Sequence, residues 1–111
     1  MTDSIDSAAV LLDDAARNAQ AVEQFAPGSF DLVDAYRIQR ASIQRRVARG
    51  DRVRGIKLGF TSRAKMVQMG VHDLIWGWLT ESMLEEEGGT VDLARYIHPR
   101  VEPEVCFLTR R

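Results

Sequence analysis

The apolar period of the chain changes at Gly50, and that change limits the folds open to it. Before it, apolar residues recur every three or four positions. Ile5, Ala8, Ala9, Leu12, Ala15, Ala16, Ala19 and Val22 make one stripe, which predicts a helix over residues 4–25. Pro27-Gly28 breaks it. Leu32, Tyr36, Gln39, Ile43 and Val47 share a second face, which predicts a helix over 30–49 with Ser29 as N-cap and Gly50 just past its end. After Gly50, residues 52–60 alternate polar and apolar, as a half-buried strand does. Thr61 or Ser62 then caps a short helix over 63–69 closed by Gly70, and residues 74–79 read as a strand with Trp76 and Trp78 on one face. Residues 85–89 read as a solvated turn, and residues 101–108 as a last strand with Cys106 buried in it. The expected class is α+β: two N-terminal helices followed by strands of a mixed sheet.

Composition excludes several classes. Of 111 residues, 45% are apolar and 28% charged, too apolar for a disordered chain. The longest apolar run, Ala8 to Leu12, is far short of the ~20 residues that span a bilayer. There is no basic, apolar secretory leader, and a single cysteine fits a reducing cytosol, so a cytoplasmic protein is expected. The net charge of −1 hides an uneven distribution. Residues 37–66 carry ten bases and one acid, between two acidic segments. No aromatics interleave with these arginines, so they are expected to pack near the acidic segments rather than bind nucleic acid.

Three places carry chemistry. In Glu102-Pro103-Glu104 a strand would project both carboxylates to one face, where like charges need a cation, a proton or water between them. Hard divalent cations take such oxygens; the plainer alternative is a solvated strand end. Lys57, between Gly55 and Gly59, can hold an anionic substrate or donate a proton, or simply snorkel at the surface. His98 and Arg100 precede the carboxylates, as a titratable group and a carboxylate fork or as ordinary loop residues. His72 is expected at the surface, and Met66 and Met69 in a core.

These stretches form a pattern. Gly55-Ile56-Lys57-Leu58-Gly59-Phe60-Thr61-Ser62, the run Ala64 to Val71, Gly88-Gly89-Thr90-Val91-Asp92, Ile97 to Val105, and Asp34-Ala35-Tyr36-Arg37-Ile38-Gln39 resemble the 2-keto-4-pentenoate hydratase / 4-oxalocrotonate decarboxylase family, within the fumarylacetoacetate hydrolase superfamily. The resemblance covers roughly residues 30–108. It implies a lyase of meta-cleavage aromatic catabolism using Mg²⁺ or Mn²⁺. Glu102 and Glu104 match the family's paired metal ligands, Lys57 its active-site lysine, and His98 and Arg100 the signature before the ligands. The run at 64–71 looks closer to the decarboxylases. Hydratases of the family often carry Asp in the turn before the aromatic-Gly pair, where Ile75 stands here. Decarboxylation of 4-oxalocrotonate to 2-hydroxypenta-2,4-dienoate is therefore the expected activity, with the hydratase and an inactive remnant as alternatives.

Family members are at least about twice this length, and their third acidic ligand lies downstream. The chain is thus expected to be an incomplete part of a fumarylacetoacetate-hydrolase-like fold. Residues 1–50 would form a helical N-terminal region and residues 51–111 the start of a β-rich catalytic domain. The expected partners are a small 2-oxo acid substrate and a partner hydratase, with a homo-oligomeric parent enzyme.

Overall fold

The computed structural model describes residues 4–70 and 73–110. Helix α1 (Ser4–Asn18) packs on helix α2 (Leu32–Ala48), strand β1 (Val53–Gly59) is followed by helix α3 (Arg63–Met69), and strand β2 (Ile75–Thr80) pairs antiparallel with β1. Short 3₁₀ turns follow at Glu81–Met83 and Leu93–Arg95. The α+β class holds, with an antiparallel pair as the only sheet among the described residues. No described helix is long and apolar enough to cross a membrane.

Two local corrections to the expected helices have clear causes. α1 stops at Asn18 rather than 25 because Ala19 turns into the left-handed region at φ 50°. Gln20 N–H then donates to Ala15 O at 3.0 Å, closing the helix as a Schellman-type end. Alanine does this without the glycine that usually announces it, at a cost of about 1–2 kcal/mol. α2 begins two residues later than an N-cap at Ser29 implies. Asp31 is its N-cap, accepting Asp34 N–H at 2.8 Å. At the other end, Gly50 takes φ 98° and Asp51 N–H reaches back to Arg46 O at 3.1 Å. α3 matches its expectation in full, with Ser62 Oγ accepting Lys65 N–H and Gly70 left-handed at φ 69°.

The core is small and lies between the helices. Ile5, Ala8, Ala9 and Ile38 are buried together, with Phe30 and Ala41 packed against them. The small alanines of α1 leave room for Ile38 of α2 beside Ile5; burying Ile38 is worth about 2 kcal/mol. Beside this core Asp13 is fully buried and gripped from α2. Arg45 Nε donates to Oδ2 at 2.8 Å, and Arg49 donates to both oxygens at 2.6 and 2.8 Å. The basic middle of the chain thus packs against the acidic first helix, as expected. Two further pairs lie outside that helix: Arg46 with Asp51 inside the basic segment, and Arg52 with Glu81 of the later acidic segment.

The last segment departs from expectation. Residues 101–108 pair with no strand among the described residues. Val101, Val105, Phe107 and Leu108 stand 82–98% exposed, and Cys106 is exposed rather than buried. Alternation alone cannot make a strand; it needs a ladder partner, and Pro103 withholds one of the donors. His72 and the side chain of Met69 lie outside the described residues. Met66 is half-buried.

Candidate active site

β1 sets the position of Lys57. Its register pairs Ile56 with Trp78, Lys57 with Gly77 and Leu58 with Trp76, with an irregularity between Val53 and Gly55. Gly59 packs close to the start of β2: a Cβ there would sit 3.1 Å from Ile75 Cγ1, so that side chain would have to shift by a few tenths of an ångström. The Thr80 end of the strand pair is tied down. There Asp51 accepts from Arg52 N–H, Ser82 N–H and Ser82 Oγ, at 2.9, 3.1 and 2.5 Å. The Ser82 hydroxyl leads the groups that hold the Asp51 carboxyl well below the usual carboxylate range. Across the same end, Glu81 N–H donates to Arg52 O at 2.7 Å and Arg52 pairs with the Glu81 carboxylate at 2.8 Å.

The structure brings together two of the five expected site residues. Lys57 Nζ donates to Glu104 Oε1 at 3.1 Å, across 47 positions of sequence, and both side chains are about half exposed. Glu102, two residues earlier, is exposed. His98 adopts φ 47°, a left-handed conformation for a non-glycine residue directly before Pro99. Arg100 is exposed, and neither it nor His98 makes an ion pair among the described residues. Tyr96, by contrast, donates its hydroxyl to Glu85, which raises the phenol pKa; Arg95 also reaches Glu85, at 3.7 Å.

The donor set can be tested against a divalent cation. Glu102 and Glu104 offer hard carboxylate oxygens, the kind Mg²⁺ takes while keeping several waters. No group of three or more His, Cys, Asp or Glu is assembled among the described residues. The pair therefore fits a hard cation in chemistry, with water or further donors completing the shell.

Three polar features escaped the sequence reading. Asp13 sits on the apolar face of α1, and its partners Arg45 and Arg49 are spaced i, i+4 on α2; an acid in an apolar stripe was the available signal. Tyr36 and Gln39 fall on the periodic face of the second helix and in a family-like run, but neither pattern signals that both hydrogen-bond the backbone of β2.

No family model matches the chain. Individual relatives do. Over 98 residues it is 56% identical to a Pseudomonas 4-oxalocrotonate decarboxylase, covering 87% of this chain and 38% of that protein. A 2-hydroxypent-2,4-dienoate hydratase of Pseudomonas putida is 38% identical over 79 residues, 70% of this chain and 36% of the relative. Among solved structures, the 4-oxalocrotonate decarboxylase of Pseudomonas putida G7 superposes with a TM-score of 0.81 and 33% identity, over 85% of this chain and 37% of that one; it was solved with calcium and acetate. The same enzyme with magnesium and adipate gives a TM-score of 0.67 and 32% identity, over 70% of this chain and 30% of that one. The chain spans well under half the length of the relatives it matches. It is a homologue, over their N-terminal part, of the 2-keto-4-pentenoate hydratase / 4-oxalocrotonate decarboxylase family, on the decarboxylase side.

Proposed function

We propose that the chain is the N-terminal part of a metal-dependent lyase that decarboxylates 4-oxalocrotonate to 2-hydroxypenta-2,4-dienoate and CO₂ in meta-cleavage catabolism. The observation that carries this is the 56% identity with a decarboxylase over 98 residues, 87% of this chain. In this reading residues 1–50 are a helical region and residues 51–111 begin a β-rich catalytic domain of fumarylacetoacetate-hydrolase-like fold. The hairpin and the Val101–Leu108 segment would join a larger mixed sheet there.

Glu102 and Glu104 would hold Mg²⁺ or Mn²⁺, which supplies Lewis acidity toward the 2-oxo acid and stabilises enolate charge. Lys57 binds a substrate carboxylate or gives a proton to the oxygen that gains charge. As the C–C bond to the departing carboxylate breaks, its electron pair moves through the conjugated chain to the 2-oxo oxygen, where that proton is needed. With Glu104 turned toward a cation, the Lys57 ammonium is released from its 3.1 Å pairing to do this. His98 and Arg100 stand just before the ligands, where they can orient the substrate's anionic groups. A partner hydratase would consume the dienol, and a homo-oligomer is the proposed parent assembly.

The test is a chimera in which residues 1–108 replace the matching segment of the Pseudomonas decarboxylase. With Mg²⁺ it is expected to release CO₂ from 4-oxalocrotonate, and Lys57→Met or Glu104→Gln to lower kcat by about 10²–10³-fold. A folded chimera that only hydrates the dienol would move the assignment to the hydratases, a reading the 38% identity with the Pseudomonas putida hydratase supports. On the 111-residue chain itself, Mn²⁺ is expected to broaden the NMR signals of Glu102 and Glu104, and Glu104→Gln to abolish this. Broadening elsewhere only would remove the metal assignment.

A further inference from the structure

We propose that Tyr36 and Gln39 are positioning residues for the candidate site and act through the outer edge of β2. The backbone groups of Trp76 and Trp78 that point away from β1 are met by α2 instead of by a strand. Gln39 Nε2 donates to Trp76 O at 3.2 Å, and Gln39 Oε1 accepts Trp78 N–H at 2.8 Å. One carboxamide thus reproduces the donor and acceptor that a neighbouring strand would present. Tyr36 Oη accepts Trp76 N–H at 3.3 Å, and its ring stacks on the Trp76 indole with centroids 5.0 Å apart and planes 18° apart. The Trp78 ring meets Trp76 edge-on at 5.2 Å.

The spacing makes the match specific. Residues 36 and 39 are i, i+3 on one helix face, and residues 76 and 78 open to one strand edge because the strand period is two. A slip of one residue would present the opposite edge and lose all three bonds. Gly77 lies between the two tryptophans and directly opposite Lys57 in β1. α2 is itself anchored on α1 through Asp13. An unbroken series of directional contacts therefore runs from α1 through α2 and β2 to Lys57, which it holds within reach of Glu104. The catalytic consequence rests on the proposed roles of Lys57 and Glu104; the clamp itself does not.

Two readouts on the full 111-residue chain separate these. Amide hydrogen exchange by NMR reports Trp76 and Trp78 N–H directly. Zero-length carbodiimide coupling reports the site: the activated Glu104 carboxyl is attacked by the Lys57 amine, an amide forms, the urea leaves, and peptide mass spectrometry quantifies the product. Gln39→Leu is expected to speed exchange at Trp78 about tenfold and to lower the Lys57–Glu104 coupling yield several-fold, with far-UV helicity unchanged. Tyr36→Phe keeps the ring stack and is expected to speed exchange at Trp76 and to lower coupling to a smaller extent. If Gln39→Leu does not fold, Tyr36→Phe carries the same comparison. Unchanged exchange overturns the clamp, and faster exchange with unchanged coupling overturns the positioning role. If both readouts move as expected while the Mn²⁺ and chimera tests fail, the site roles fall and the clamp stands.

Discussion

At the residue scale, Asp13 carries more of the fold than any other polar side chain. A buried carboxylate is costly unless paired, and here three hydrogen bonds reach it from two guanidinium groups one helical turn apart. The Arg49 hydrogen bonds pull its pKa below the ordinary aspartate value; burial opposes this, and Arg45 adds to the lowering. A depressed folded-state pKa contributes stability that is complete above the unfolded-state value, about 3.9. It is lost as pH falls through the lower folded-state value. Urea midpoints are therefore expected to hold from pH 7 to about 5 and to drop below about 4. Asp13→Asn should remove ~2 kcal/mol at pH 7 and flatten that drop, a figure kept modest because both arginines are about a third exposed. Asp14, half-exposed and bonded to Arg45 at 3.3 Å, is the control; its Asn variant should cost under about 0.5 kcal/mol. Equal losses from the two variants would contradict the buried-clamp account.

At the element scale, what could be read in advance followed local signals. The period change at Gly50 separated helices from strands, and Thr61-Ser62 and Gly70 bracketed α3, with Ser62 the residue that caps it. The end of α1 was not legible, because Ala19 makes the left-handed turn that glycine normally signals. The start of α2 was misplaced because two N-cap residue types lie two positions apart and only backbone geometry selects Asp31. This last point has a direct check. Asp31→Ala is expected to cost about 1 kcal/mol in thermal or urea unfolding, and Ser29→Ala a few tenths at most. The reverse order would restore Ser29 as the cap. The candidate site was legible in part for the same reason. Lys57 was placed by strand alternation, but its contact with Glu104 spans 47 positions and leaves no periodic trace. The strand expected at residues 101–108 failed because pairing is a property of two segments, and alternation reports only one.

At the scale of the whole molecule, the apolar surface is distributed unevenly. The packed part is a helix pair with a hairpin clamped to it through Tyr36 and Gln39. Beyond Tyr96 the backbone makes no ladder or helix hydrogen bonds among the described residues, and the Lys57–Glu104 pair is what ties that stretch back to β1. An exposed ion pair contributes at most about 1 kcal/mol and weakens in salt. Valines and a phenylalanine that are 82–98% exposed gain nothing from burial where they stand. Opening of this segment should thus cost far less than unfolding the helix pair. Limited chymotrypsin digestion is expected to cut at Phe107 well before Phe30, Trp76 or Trp78. Raising the salt to 0.5 M, or substituting Lys57→Met, should speed that first cut by no more than about fivefold, the share one exposed pair can hold. The cleaved product should keep its helical circular dichroism, because the Ile5–Ile38 core and the Asp13 clamp lie outside the lost piece. If Phe107 proves as resistant as Trp78, residues 101–108 are packed in solution. The coil at Glu102 and Glu104 would then give way to an ordered strand carrying both carboxylates.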